Sequence, residues 1–302
     1  MKVVSLYRFL DIENLDSFRD QLKKLCDEQC LLGTILVATE GFNGTLAGSE
    51  SSVRIVMNWI RDRFNIDEEL DARWTESGEA PFRKMQVKVK KEIVTLGRPD
   101  ILPHKGSGQH VGVERWNELI SDPSVLVIDT RNHYEIEVGT FPGAIDPGND
   151  SFREFPDFAK ELAEQSTDRP LAMFCTGGIR CEKATALMLE LGFDDVYHLQ
   201  GGILNYLTEV DDAENKWSGE CFVFDTRIAV DRDLAEGGYV QCHACRRPLN
   251  TADLASPDYR EGVSCPQCVN EADEDRLLRL EERRKQVRLA AERGSQHIVP
   301  KT

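Results

Sequence analysis

Cys175 opens the stretch CTGGIRCEKATALMLELG, in which a thiol is followed by two glycines, an arginine and a second thiol as a helical pattern begins. The apolar run before it, Leu171 to Phe174, reads as a strand covered on both faces. A cysteine at the carboxyl end of such a strand stands where open α/β sheets bind their ligands. Gly177 and Gly178 let the backbone bend so that several N–H groups converge, and the following helix adds its positive end. That nest favours a thiolate and makes Cys175 a nucleophile near neutral pH. Arg180 strengthens the same field or clamps an oxyanion, and Thr176, Gly177, Gly178 and Ile179 complete the anion-binding loop. Cys181 is expected to act as a second or resolving thiol, and Lys183 to contact the substrate backbone or tune the thiols. A lone cysteine would read as a small buried hydrophobe; the glycines and Arg180 reverse that reading.

A second chemistry is written into the last third of the chain. Cys242 and Cys245 form one Cys-x-x-Cys, Cys265 and Cys268 another, and 19 residues separate the pairs. Two chelating turns at this spacing supply four thiolates to tetrahedral zinc, in a closed site that holds structure and leaves no position open for catalysis. His133 and Glu135 share the His-x-Glu spacing of an iron site, but no third ligand can be placed beside them. No P-loop, serine elbow or dinucleotide fingerprint occurs.

The elements that position these residues follow from periodicity. Residues Val3 to Phe9 read as a strand, Leu15 to Cys26 as a helix, GTILVATEGFNGTLAG as a hairpin turning at Asn43-Gly44, Glu50 to Phe64 as a helix and KMQVKVKKEIV as a strand. The order β-α-β-β-α-β predicts a ferredoxin-like α+β domain over residues 1–97. The stretch GRPDILPHKGSGQH reads as a linker, placed at 98–112. Residues 113–212 alternate helix and strand and predict a parallel sheet with flanking helices. Residues 213–302 form a cysteine-rich C-terminal region with a charged helix from Glu271 to Arg293.

With 40% hydrophobic and 30% charged residues, and no apolar segment near the ~20 residues that span a bilayer, the composition is that of a soluble protein with no membrane partner. Nine cysteines and no export signal point to the cytoplasm. A net charge of −16 excludes a broadly basic nucleic-acid binder. Two islands run against it: Arg83 to Lys105 holds seven Lys or Arg against two acids, and Arg276 to Thr302 holds eight against three.

CTGGIR resembles the active-site loop of rhodanese domains, in which a cysteine opens a six-residue loop ending in arginine. VIDTRNHYEIEVGTFPGAI upstream and VYHLQGGILNY downstream are similar to other elements of that domain, and the resemblance implies that Arg131 and Glu135 pair structurally. A cysteine phosphatase loop has five residues between cysteine and arginine; TGGI supplies four, which suits a sulfur species better than a phosphate ester. A narrower resemblance spans nearly the whole chain. ATEGFNGTLAG, CTGGIRCEKA and GECFVFDTRIAV together resemble the bacterial rhodanese-like tRNA uridine hydroxylases. This implies oxygen-dependent hydroxylation of the wobble uridine at C5, with molecular oxygen as co-substrate, the anticodon region of tRNA as partner, and Cys175, Arg180 and Cys181 in the catalytic roles. No protein partner is implied. The alternatives are a sulfurtransferase carrying a persulfide on Cys175 and a non-catalytic tRNA-binding module.

Overall fold

Strand β1 (Lys2–Phe9) begins a computed structural model that describes residues 1–68, 70, 72–78, 81–165, 167–225 and 227–294. The chain divides into two units, 1–132 with 143–214 and 133–142 with 215–302. In the first unit β1 is followed by α1 (Leu15–Glu28), β2 (Leu32–Ala38), β3 (Gly41–Gly48), α2 (Glu50–Phe64), β4 (Ala72–Glu76) and β5 (Met85–Val89). The sheet order is β4-β1-β3-β2-β5. Its first four strands are antiparallel neighbours in the ferredoxin-like arrangement, and β5 adds itself in parallel to β2. Phe18 and Leu22 of α1 and Val53, Val56 and Ile60 of α2 are buried against Val4, Leu6, Ile35, Val37 and Leu46 of the sheet. The helices start where the sequence supplies caps: the Asn14 side chain accepts from the Ser17 N–H and the Ser49 hydroxyl from the Ser52 N–H.

Three features differ from the sequence expectation. The fourth strand of the fold is β4, residues ARWTE, whereas KMQVKVKKEIV supplies the added strand β5 on the opposite edge. Asn43-Gly44 lies inside β3, where Asn43 pairs with Tyr7 and Leu36, so the hairpin turns at Thr39-Glu40 instead. Gly44 is needed there for space, because a Cβ would sit 2.3 Å from the Thr34 carbonyl oxygen. The Asn43 amide is used as a tether and donates to the Ile93 carbonyl at 3.0 Å. Finally, the segment read as linker carries β6 (Gln109–Val111), the edge strand of the next sheet.

That sheet continues with α3 (Val113–Leu119) and β7 (Leu126–Asp129), then α5 (Phe155–Gln165), β9 (Leu171–Phe174), α6 (Ile179–Glu190), β10 (Val196–Leu199) and α7 (Gly202–Glu209). All pairings in the order β6-β10-β9-β7 are parallel. All four residues of β9 are buried, as its unbroken apolar run requires.

The second unit contains α4 (His133–Ile136) and β8 (Gly139–Thr140), followed by the short strands β11 (Ser218–Gly219), β12 (Cys221–Phe222), β13 (Ala229–Val230), β14 (Val240–Gln241) and β15 (Pro248–Leu249), then α8 (Thr251–Ala255) and α9 (Glu274–Glu292). β8 pairs with β11, β12 with β13 and β14 with β15. Glu135 is fully buried here and His133 is exposed, so the two do not present a common metal face. Among the described residues no helix is long and apolar enough to cross a membrane.

Candidate active site

The loop from Cys175 to Arg180 joins β9 to α6, and its conformation is set from behind. The N–H groups of Ile203 and Leu204, at the start of α7, donate to the carbonyls of Cys175 and Thr176 at 2.9 and 3.1 Å. With those carbonyls engaged by a helix end, the loop's own N–H groups are free to turn inward. The Gly178 N–H donates to the Cys175 sulfur at 3.1 Å. Close approach of α7 depends on Gly202, where a Cβ would meet the Cys175 carbonyl oxygen at 2.4 Å and the Gly178 nitrogen at 2.8 Å. The closing Gly-Gly element therefore serves the loop directly. Gly178 adopts φ 93°, a conformation that opens the bend before α6.

Cys175 is 1% exposed and Cys181 fully buried. Burial alone would push the Cys175 thiol up; the Cys181 thiol, the Arg180 charge and the N–H groups of Cys181 and Arg180 together outweigh it and bring the thiol down to about 6. Cys181 moves the other way, raised by burial and by its neighbour's charge, and it also lies 3.5 Å from the Thr130 hydroxyl. The two shifts favour ionisation on Cys175, with Cys181 as the thiol that donates to it. Thr176 is buried and its hydroxyl has no hydrogen-bond partner, so a polar acceptor or donor is available at the loop. Gly177 is exposed and Ile179 half-buried, forming the accessible rim, and Ile179 packs against the cluster of Phe9, Ala38 and Ile93. Arg131, upstream, is buried and forked onto Asp129, with Nε at 2.8 Å and a terminal nitrogen at 2.6 Å, a structural pairing that removes it from the chemistry.

Lys183 is not part of the loop surface. It is fully buried, with its ammonium 2.8 Å from Glu40 and 2.7 Å from Glu92. A solvent-facing or substrate-contacting role is therefore corrected: its position in the second turn of α6 points it into a sealed ion triad. The Glu40 carboxylate also accepts from the Ile93 N–H at 2.7 Å, and Glu92 accepts from Leu96 and Gly97, both at 3.1 Å. Sequence reasoning missed both glutamates. Glu40 sits inside ATEGFNGTLAG, but only the placement of the β2–β3 turn shows that it faces inward. It also missed His198 on β10, which is 1% exposed with neither ring nitrogen in a well-formed hydrogen bond, and whose imidazole burial pushes down to about 4.

In the second unit the four predicted cysteines converge. Their sulfurs all lie within 4.8 Å of one another, with Cys265 to Cys268 at 3.6 Å and Cys245 to Cys265 at 3.8 Å. Tetrahedral zinc with Zn–S of ~2.3 Å sets its sulfurs ~3.8 Å apart, so the donor set fits the ion in number, chemistry and spacing. Cys242 and Leu249 are buried around the centre, and Arg246 N–H donates to the Cys242 carbonyl at 2.8 Å to close the first knuckle. Of the basic island starting at Arg276, the part up to Gly294 is described, and residues 295–302 lie outside the described residues. Several of its charges on α9 are paired locally, as Lys285 with Glu282 and Arg288 with Glu292.

Comparison with known proteins places these features in a lineage. Residues 1–93 match the UPF0176 acylphosphatase like domain and residues 113–209 the rhodanese-like domain. A rhodanese-like domain from Anabaena sp. matches 36% of this chain and 78% of its own at 16% identity, with a TM-score of 0.30. Two curated relatives match almost end to end, each named tRNA uridine(34) hydroxylase. The protein of Agrobacterium fabrum is 48% identical over 98% of this chain and 94% of its own, and that of Teredinibacter turnerae 46% identical over 98% and 92%. A mixed α/β chain of this domain order, related at that identity along its whole length, belongs to the tRNA uridine(34) hydroxylase family.

Proposed function

We infer that this protein hydroxylates uridine 34 of tRNA at C5, with molecular oxygen as co-substrate. The observation that carries the reading is the 48% identity over 296 residues to a tRNA uridine(34) hydroxylase, in a chain whose loop buries Cys175 with the Gly178 N–H donating to its sulfur. The Cys175 sulfur adds to C6 of the uracil, which places electron density on C5, where an oxygen atom is received. Loss of the C5 proton and cleavage of the C6–S bond then restore the ring double bond and the thiolate. Overall, uridine, O2, two electrons and two protons give 5-hydroxyuridine and water, the electrons coming from a reductant outside the chain. Arg180 and the loop N–H groups stabilise the oxyanion that forms as sulfur adds, and the Cys181 thiol donates a hydrogen bond that keeps the Cys175 sulfur ionised until it adds.

The anticodon stem meets cations that the net charge conceals. Arg83, Lys84, Lys88, Lys90 and Lys91 are exposed along and beyond β5 and suit phosphate contacts. A tRNA substrate places the protein in the cytoplasm. Zinc is the ion the four-cysteine centre favours, and when bound it supplies cross-linking of a unit made of very short strands, with no open position for chemistry. Metal analysis of freshly purified protein should return one zinc per chain at these cysteines, lost in Cys265→Ser; protein free of zinc would refute that part.

The reading is tested by nucleoside mass spectrometry of total tRNA from aerobic cells with and without the gene. Loss of 5-hydroxyuridine and its derivatives in the deletion strain, restored by the wild-type gene, is the expected result. An unchanged profile in a strain with no second route to the nucleoside would reject it in favour of sulfur transfer, detectable as thiocyanate formed from thiosulfate and cyanide.

A further inference from the structure

His110, Glu182 and His198 come from three elements separated by most of the second half of the first unit, and the fold gathers them into one cluster. Strand register brings the histidines together, because β6 and β10 are parallel neighbours in which His110 stands directly beside His198. Their rings lie 4.0 Å apart at 49°. Glu182 enters from the first turn of α6, the helix packed over β10, immediately after Cys181. Its carboxylate is 2.8 Å from the Nε2 atom of His110, and one donor atom from each of the three residues falls within a 4.8 Å sphere of separations.

An ordinary ion pair would account for His110 and Glu182 alone. It leaves His198 unexplained. That ring is 99% buried by residue area, and neither nitrogen makes a well-formed hydrogen bond, the Gly108 backbone being its nearest polar neighbour on the strand side. A buried polar group without a well-formed partner is costly, so an imidazole fixed in this condition beside a carboxylate and a second imidazole calls for a ligand. Two imidazoles and one carboxylate are the donors that divalent first-row transition metals take when three protein ligands hold one side of the ion. His110, at 47% side-chain exposure, forms the open side and can rotate to close on an ion, while the largely buried Glu182 and buried His198 are held in place.

We propose that His110, Glu182 and His198 form a second metal site, distinct from the cysteine centre, for a divalent first-row transition metal ion with its remaining positions open to water or another small oxygen donor. The assignment goes beyond the hydroxylase reading and does not require it, since binding is measured without tRNA. The experiment uses the full-length protein with its cysteine centre filled by zinc, titrated anaerobically with Co2+ and followed by visible absorption and metal analysis. One further equivalent of cobalt per chain is expected, with weak d–d bands and without intense thiolate-to-cobalt charge transfer. His110→Ala and Glu182→Gln should each weaken its affinity at least tenfold while leaving the zinc content at one per chain; His110 is exposed, so its replacement tests the site without threatening the fold. No cobalt beyond the cysteine centre in the wild type, or binding undiminished in both variants, would overturn the proposal.

Discussion

Cys175→Ser should abolish 5-hydroxyuridine formation, with a loss of at least ~10^3-fold in single-turnover rate on tRNA, because a serine hydroxyl at this position stays protonated where the cysteine is a thiolate. The effect rests on charge at one atom, and that charge can be read independently of tRNA. With the Cys175 thiol brought down to about 6, roughly nine-tenths of it is ionised at pH 7. Lowering a thiol's pKa populates its reactive form at lower pH. Alkylation of Cys175 by iodoacetamide, resolved by peptide mass spectrometry from the other eight cysteines, should rise with a midpoint near pH 6 and flatten above neutrality. An ordinary thiol would still be climbing at pH 8. Arg180→Met and Cys181→Ala each remove a group that stabilises the thiolate, so each should move the midpoint upward. Full hydroxylation by Cys175→Ser would sink the covalent route, and a midpoint near that of free cysteine would sink the account of the loop.

The second large effect is expected at a residue that touches no substrate. Lys183→Met removes the cation of a sealed triad and leaves the carboxylates of Glu40 and Glu92 facing each other without it. Stripping one partner from a buried ion pair costs about 3–5 kcal/mol. In a unit of this size that lowers Tm by roughly 6–20 °C. Adding Glu40→Gln and Glu92→Gln to Lys183→Met should recover part of the loss, since the stranded charges disappear with it. Calorimetry on the three proteins decides the matter, and a Lys183→Met protein that melts with the wild type would show that the triad does not hold the fold.

These two residues also mark how far the chain could be read before folding. The loop was legible because its signal is local: a strand, a cysteine, glycines and an arginine succeed one another within ten residues, and Ser49 and Phe64 bracket a helix that periodicity alone places correctly. Lys183 was misread for the opposite reason. Charge in a sequence defaults to the surface, and its partners Glu40 and Glu92 stand 143 and 91 positions away. Asn43-Gly44 carries the composition of a turn, yet the pair serves close packing and a side-chain tether inside a central strand. β4 has no fully buried position to reveal it by alternation, since four of its five residues are half-buried and the last exposed. The His110, Glu182 and His198 cluster offered no spacing at all, because strand register created it.

The helix end that engages the carbonyls of Cys175 and Thr176 has a consequence for turnover. A catalytic loop that had to reorganise around each incoming base would spend part of every cycle assembling its own dipoles. Here the peptide groups are already oriented by hydrogen bonds from the helix behind them, so the loop is expected to keep one geometry with and without a bound base. Inhibitors shaped to the empty loop should consequently bind without a slow conformational phase.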